Sequence, residues 1–154
     1  MKVKFEKATL SNIEEMQNLI LPEVIAGIIL ARDNDEIATN IRSYILAYNE
    51  QDTIIGFCAL HIHTSNLAEI RSLIIKENYR GKKIGEELIK EALIEAKKLN
   101  LKKVLSLTYK KSFFEKLGFL EIPKESIPEH KIWTDCIKCK HFPVCNEVSL
   151  IKTL

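Results

Sequence analysis

The stretch from residue 67 to residue 99 constrains the fold more than any other part of the chain, because its pattern predicts a strand, a tight basic turn and a long helix. The strand covers Leu67–Lys76, the turn covers Glu77–Gly85, and the helix follows over residues 86–100. Apolar residues recur at helical spacing, so one face of the helix is apolar. They are Ile84, Leu88, Ile89, Ala92, Leu93, Ala96 and Leu99. This periodicity indicates a mixed α/β domain.

The turn has the features of an anion-binding site. Backbone N–H groups at the start of a helix lack partners within the helix and lie at the positive end of its dipole, so they suit a phosphate or pyrophosphate. Arg80, Lys82 and Lys83 add positive charge. Gly81 and Gly85 lack a Cβ, so a ligand can approach the main chain closely. The alternative is an ordinary connection with solvated lysines, and the glycine spacing fits neither a Walker loop nor a Rossmann fingerprint.

Length and composition limit the possible functions. A chain of 154 residues suits one domain, over residues 1–154. A net charge of +2 is too small to indicate a nucleic-acid partner. No apolar run is long enough to span a membrane and the N-terminus does not resemble a signal peptide, so we expect a cytoplasmic protein. The sequence contains four cysteines, three of them clustered, which favours a metal site or free thiols over a disulfide framework.

The remaining elements alternate between strands and helices. Ser11 and Glu14 form a capping-box pattern that predicts a helix to about Ile20, where Pro22 interrupts it. Further helices are predicted over residues 33–42 and 112–119, and further strands over 2–8, 43–50, 53–64, 102–109 and 146–154. The second and third strands are predicted to form a hairpin, and Gly118 is predicted to close the short helix at 112–119.

Two motifs together resemble those of the GNAT acetyltransferase superfamily. They are YRGKKIG at residues 79–85, preceded by an apolar strand, and FFEKLGF at residues 113–119. The family loop Arg/Gln-x-x-Gly-x-Gly/Ala holds the pyrophosphate of acetyl-CoA. Arg80 and Gly85 match the ends of that motif, while Lys83 stands where the middle glycine is usual. A lysine there keeps the backbone N–H donor.

The resemblance implies a mixed, mostly antiparallel central sheet with flanking helices and a splayed strand pair that binds acetyl-CoA. The main chain of the central strand hydrogen-bonds the pantetheine arm in the manner of an added strand. The implied acetyl-CoA residues are Leu73, Ile75, Arg80, Gly81, Lys82, Lys83, Ile84 and Gly85.

Four longer stretches resemble one branch of the superfamily, the single-domain N-acetylglutamate synthases. They are GIILARD at 27–33, CALHIHTSNLAEIRSLII at 58–75, LTYKKSFFEKLGF at 107–119 and KIWTDCIKCKHFPVC at 131–145. The resemblance implies acetylation of the amino group of L-glutamate in arginine biosynthesis. The amino-acid-kinase domain of many such synthases has no counterpart in these residues, which leaves feedback inhibition by arginine open.

Glutamate requires cationic partners for its carboxylates and an acceptor for its ammonium proton. Arg32 and Arg71 are the substrate-binding candidates, because a guanidinium binds a carboxylate in a planar, bidentate way. Glu69 lies two residues before Arg71, on the same strand face. It is predicted either to pair with Arg71 or to act as the base, directly or through water.

Histidine and tyrosine provide the remaining catalytic candidates. His61 is a second candidate base, and His63 is assigned a structural, hydrogen-bonded role. The superfamily often uses a tyrosine as the acid that protonates the departing thiolate. Here Phe114 occupies that position, so Tyr109 or a water molecule is the expected substitute.

The cysteine cluster leaves two interpretations. Cys136, Cys139, His141 and Cys145 have a spacing that could provide zinc ligands, but the second half is compressed. Reduced thiols that close a tail over the substrate are therefore favoured over zinc, and an iron–sulfur cluster is disfavoured further. Cys58 is expected to be a buried apolar residue and not a covalent nucleophile.

The expected partners are acetyl-CoA and an amino acid, with a homodimer as a further possibility. Three alternatives stay open: acetylation of another amine (glutamine, aspartate, a polyamine or a protein N-terminus), a non-catalytic acyl-CoA-binding module, and a zinc-dependent nucleic-acid module, which the near-neutral charge disfavours.

Overall fold

A computed structural model describes residues 2–126 and 147–154. In this part of the chain, seven strands form one sheet in the order β1-β2-β3-β4-β5-β7-β6. The β4–β5 pair is parallel, and the other pairs are antiparallel. The strands are β1 (Lys4–Lys7), β2 (Tyr44–Tyr48), β3 (Ile54–Ile62), β4 (Leu67–Ile75), β5 (Lys103–Thr108), β6 (Leu120–Ile122) and β7 (Val148–Thr153).

Four α-helices flank the sheet within the same residues. They are α1 (Ile13–Ile25), α2 (Asn34–Thr39), α3 (Ile84–Lys98) and α4 (Lys111–Glu115). None of the helices in residues 2–126 and 147–154 has the length and apolar character needed to cross a bilayer. The predicted architecture, a mostly antiparallel mixed sheet with flanking helices, is confirmed.

The two faces of the sheet bury separate apolar clusters. The apolar stripe of α3, including Leu88 and Ile89, packs with Leu60 and Ile70 on one face. On the other face the cluster includes Met16, Ile20, Ile37, Leu46 and Phe57, so α1 and α2 cover that side. Successive side chains along a strand point to opposite faces of the sheet. The position of a residue in its strand therefore decides whether its side chain faces α3 or faces α1 and α2.

The first helix differs from its prediction at both ends. A short 3₁₀ turn over Leu10–Asn12 precedes it, and the N–H of Thr9 donates to Asn12 Oδ1 at 2.8 Å, so the predicted Ser11–Glu14 capping box is wrong. The helix also continues through Pro22 to Ile25. Val24, beyond the proline, packs against the apolar cluster, and this tertiary contact outweighs the helix-breaking tendency of proline.

The second helix begins as predicted but ends earlier. Asp33 caps it, since Asp33 Oδ1 accepts from the N–H of Glu36 at 2.8 Å. It ends at Thr39, and a 3₁₀ turn over Ile41–Ser43 leads into β2. The short helix α4 is likewise shorter than predicted. Gly118 follows it with φ +92°, the left-handed conformation that favours glycine at the end of a helix.

Candidate active site

The central strand β4 separates from β5 halfway along its length. Their parallel pairing joins Leu67–Ile70 to Lys103–Ser106, and both strands then continue. The separation coincides with a bulge in β4, because the pairing to β3 advances three residues on β4 while it advances two on β3. Ser72, in this bulge, has φ +59°. A bulge bends its strand and increases the local twist, so an opening forms between β4 and β5.

Leu73 and Ile75 lie in the separated part of β4, where the resemblance placed the pantetheine contacts. Their side chains pack partly buried against the α3 cluster. Adding a Cβ at Gly56, opposite on β3, would bring it to 2.7 Å from the carbonyl oxygen of Ile74. Strands β3 and β4 are therefore closely packed against each other at this point. The opening lies along the other edge of β4, the edge that faces β5.

The turn after β4 ends in a helix start with available donors. Gly81 and Lys83 have φ values of +78° and +65°, and α3 begins at Ile84 without a side-chain cap. The N–H of Glu87 donates to the carbonyl of Lys83 at 3.1 Å. The N–H groups that precede Glu87 in the first turn have no acceptor within the helix. This is the geometry of a phosphate-binding helix terminus.

The helix start also faces the end of the opening. An ideal Cβ on Gly85 would lie 3.6 Å from Phe113 Cζ on α4 and 3.7 Å from Ile75 Cγ1 on β4. Three elements therefore meet at Gly85. The helix start therefore adjoins the separated part of β4 at this residue.

Arg80 connects the turn to two other elements. Its Nε donates to the carbonyl of Ile75 at 3.0 Å, and its Nη2 lies 3.2 Å from Glu23 Oε1 on α1. The Arg80 side chain is 50% exposed and that of Glu23 is 20% exposed. The arginine that the family motif assigns to the pyrophosphate is thus held at the surface by an acidic residue of α1.

A buried charged group lies on β4 just before the opening, on the sheet face covered by α1 and α2. Glu69 pairs across the strands with His61, and its side chain is 2% exposed. His63 Nε2 lies 2.8 Å from Glu69 Oε1, and the His63 side chain is fully buried. The rings of His61 and His63 pack edge to face with centroids 4.9 Å apart. Glu69 therefore has a histidine partner that the sequence did not predict.

The side chains of both predicted arginines are largely buried. Arg71 is 9% exposed, and the side chain of Arg32 is 8% exposed and lies 3.7 Å from Glu36. Burial raises the pKa of the Tyr44 hydroxyl, while the charges of Arg32 and Arg71 act in the opposite direction.

Tyr44 is a residue that the sequence analysis missed. It pairs with Ala59, which in turn pairs with Arg71, so the three residues form a row across β2, β3 and β4. Ala59 lies between Tyr44 and Arg71 in this row, and its small side chain does not fill the space between them. A buried hydroxyl that requires a partner was the available signal.

The remaining candidates separate clearly by exposure. Tyr109 follows β5, on the other side of the opening, and is 45% exposed. Phe114 is buried and packs edge to face against Phe119 at 5.2 Å, and its phenyl ring has no proton to donate. Cys58 is fully buried, and desolvation raises the pKa of its thiol to about 12, so the expectation of an inert, buried cysteine is confirmed.

The cysteine cluster over 136–145 falls outside the described residues, and its metal or thiol role stays a prediction. Within residues 2–126 and 147–154, no group of three or more His, Cys, Asp or Glu side chains is arranged to hold a metal ion.

Comparison with known proteins finds relatives that are named as acetyltransferases. A family model described as "Acetyltransferase (GNAT) family" matches residues 13–119. An uncharacterised N-acetyltransferase of Chlorobaculum tepidum is 38% identical over 128 residues, which cover 83% of this chain and 81% of that protein. An amino-acid acetyltransferase of Haemophilus ducreyi is 29% identical over 127 residues, which cover 80% of this chain. They cover only 29% of the Haemophilus protein, so this chain corresponds to less than a third of that relative.

Two solved structures share the fold. N-acetylglutamate synthase from Neisseria gonorrhoeae, complexed with coenzyme A and N-acetyl-glutamate, superposes with a TM-score of 0.87 at 19% identity, over 100% of this chain and 35% of that one. Rv2747 from Mycobacterium tuberculosis, in complex with CoA, superposes with a TM-score of 0.83 at 21% identity, over 98% of this chain and 99% of that one. At these identities the likeness establishes the shared fold.

Proposed function

Because the chain belongs to the acetyltransferase (GNAT) family and is an acyltransferase, we propose that it transfers the acetyl group of acetyl-CoA to the amino group of L-glutamate. The observation that supports this acceptor is the group of buried charges beside the opening, formed by Glu69, Arg71 and Arg32. The names of the Haemophilus and Neisseria proteins support the same class of acceptor. The chain would then act as an N-acetylglutamate synthase that supplies arginine biosynthesis.

The residues of the turn and of β4 fit acetyl-CoA. The helix start at Ile84 and Gly85, with Lys82 and Lys83 beside it, provides N–H donors and positive charge for the pyrophosphate. The β4 main chain at Leu73 and Ile75 would accept the pantetheine arm as an added strand. The adjacency of both features at Gly85 supports one extended binding site.

The acceptor carboxylates would bind to the two arginines. Arg71 and Arg32 come from different elements, and both act electrostatically on Tyr44. Two guanidinium groups can bind the two carboxylates of glutamate, each through a planar pair of N–H donors. Tyr44, kept neutral by burial, would contribute a hydroxyl donor between them.

The chemical step is a direct attack within a ternary complex. Glu69 accepts a proton from the ammonium group, and the free amine then attacks the thioester carbonyl carbon, forming the C–N bond. The nitrogen of the tetrahedral intermediate loses a second proton, and collapse of the intermediate breaks the C–S bond. Tyr109 or water protonates the thiolate and is reprotonated by this second proton, while the proton on Glu69 passes to solvent. His61 is the alternative base. Orientation of two bound substrates supplies most of the rate advantage, and β4 N–H groups would stabilise the oxyanion.

The test is release of free thiol from acetyl-CoA in the presence of each amino acid in turn, in metal-free and in zinc-supplemented buffer. We expect turnover with glutamate to exceed that with glutamine, aspartate and polyamines. The glutamate-to-glutamine comparison is the sharpest control, because the two side chains differ by one charge at nearly equal size.

Faster turnover with another amine would overturn the glutamate assignment and leave the acyltransferase assignment intact. A requirement for zinc would instead indicate that the cysteine cluster holds a metal that the reaction needs.

A further inference from the structure

We propose that His63 is a positioning residue for the reaction, which holds the Glu69 carboxylate in the orientation needed to accept the substrate proton. The inference rests on the proposed function, because it takes Glu69 as the base. The hydrogen bond between His63 Nε2 and Glu69 Oε1, at 2.8 Å, is the observation that carries it.

His63 is itself held firmly at the end of β3. Its N–H donates to the carbonyl of Leu67 at 2.9 Å, and the N–H of Thr64 donates to the same carbonyl at 3.1 Å. Thr64 Oγ1 accepts from the N–H groups of Asn66 and Leu67 at 3.1 and 3.0 Å. These four hydrogen bonds hold the turn between β3 and β4, and with it the main chain from which the imidazole projects.

The ring orientation is also restricted. The His61 ring packs edge to face against the His63 ring, and both side chains project from the same face of β3. His61 pairs directly with Glu69 across the strands, and His63 reaches the same carboxylate from further along β3. Packing from His61 and backbone anchoring in the turn thus leave the Nε2 atom directed at Glu69.

A buried carboxylate needs such a partner. A carboxylate that is 2% exposed would pay a large desolvation cost without charge-assisted hydrogen bonds. The hydrogen bond from His63 Nε2 reaches Oε1 and so restricts the orientation of the whole carboxylate. Arg71 projects from the same face two residues further along β4, and with His61 completes the set of ionisable neighbours on these two strands.

The position of the carboxylate determines how well it accepts a proton. A base must lie within hydrogen-bonding distance of the proton that it removes, and a misplacement of about 1 Å can cost about 100-fold in rate. Under this proposal, no covalent bond to His63 forms or breaks during the reaction. Its contribution is the orientation of Glu69.

The test compares His63→Gln with His63→Phe in the full chain. The Gln amide nitrogen reproduces the donor at the Nε2 position but cannot exchange a proton near neutral pH, whereas Phe preserves the ring volume and removes the donor. We expect H63Q to retain kcat within about threefold and H63F to lose about 100-fold, with the KM for acetyl-CoA unchanged in both. Assays use whichever amine the wild-type chain acetylates fastest.

Double-mutant cycles with Glu69→Gln separate positioning from general instability. H63F should cost nothing further in the E69Q background, because the carboxylate that it positions is gone. If H63F fails to fold, His63→Asn, which is too short to reach Glu69, replaces it.

Three results would overturn the proposal: an H63F kcat near the wild-type value, an equal loss in H63Q and H63F, or an additive loss in the double mutant. The second would indicate that His63 carries the proton itself. Absence of glutamate turnover by the wild-type chain is a separate outcome that refutes only the choice of acceptor, since the same variants are then compared with the amine that is acetylated.

Discussion

The two halves of the proposed active site are built in different ways. On the acceptor side, side chains from β3 and β4 are buried, with Glu69 at 2% and Arg71 at 9% exposure. On the cofactor side, the conformation of the main chain at Gly81 and Lys83 prepares the site, and the Arg80 side chain is 50% exposed. The acceptor half is specified by individual side chains, whereas the cofactor half is specified by main-chain geometry that many side chains can support.

This difference sets the size of the expected mutational effects. A buried charge that loses its partner retains the full desolvation cost, while an exposed charge is screened by water and salt. Substitutions should therefore be severe in the acceptor half and mild in the cofactor half. The three predictions below test this contrast, beginning with the largest effect.

Arg71→Ala should raise the KM for glutamate by about 100-fold or more, because a charge-assisted bidentate contact in a buried site is lost. The KM for acetyl-CoA should change by less than about threefold. Steady-state kinetics with each substrate varied in turn measures both values. Arg71→Lys should lie between the two proteins, since an ammonium group keeps the charge but not the planar pair of donors.

Arg42→Ala provides the matched control, because Arg42 is an exposed arginine in the 3₁₀ turn before β2. It should leave both KM values unchanged. Equal losses for glutamate and acetyl-CoA in R71A would remove Arg71 from the carboxylate site and would end the contrast between the two halves.

The sequence predicted the scaffold of both halves closely. The strand predicted over Leu67–Lys76 is β4 over Leu67–Ile75, and the helix α3 begins two residues before the predicted residue 86. Strong periodicity and a glycine-containing turn are local signals, so they are readable without partners. Helix α1 was predicted less well, because contacts made beyond Pro22 decide where that helix ends.

The acceptor half depended on information that a single sequence does not contain. The Glu69 and Arg71 spacing correctly predicted a shared strand face, since it is a local property. The His63–Glu69 contact and the row from Tyr44 to Arg71 depend instead on the register between strands. The bulge at Ser72 shifts that register, and a serine with φ +59° has no reliable signature in sequence.

Lys83→Gly should stabilise the chain by about 1 kcal/mol. Lys83 has φ +65°, and this left-handed conformation is unfavourable for lysine but not for glycine. For a chain of this length we expect a rise in Tm of about 2–4 °C. The affinity for CoA should fall by no more than about threefold, since the N–H donors persist and one exposed charge is lost. Thermal unfolding and calorimetric titration with CoA measure the two effects.

Lys82→Gly is the matched control for this prediction. It removes the same charge from the same turn, and Lys82 is not among the residues with positive φ in the described chain. K82G should reduce CoA affinity to the same extent as K83G without raising Tm. A larger loss of CoA binding in K83G than in K82G would show that the lysine side chain, and not only the main chain, forms the site.

Glu23→Gln tests the connection between the halves and should have the smallest effect. Glu23 on α1 lies 3.2 Å from Arg80 Nη2, so it competes with a pyrophosphate for the same guanidinium. Both groups are partly exposed, and removal of the competing charge should tighten CoA binding by about twofold at low salt. The gain should shrink as ionic strength rises, because screening weakens the original pair.

Two controls separate this competition from a change in net charge. Glu14→Gln alters an exposed residue at the start of the same helix and should leave CoA affinity unchanged. Binding of acetyl-pantetheine, which lacks the pyrophosphate, should be equal in E23Q and the wild-type chain. Weaker CoA binding in E23Q would reverse the interpretation, since Glu23 would then orient Arg80 for the phosphate. The exposed half would in that case depend on a specific side-chain contact, as the buried half does.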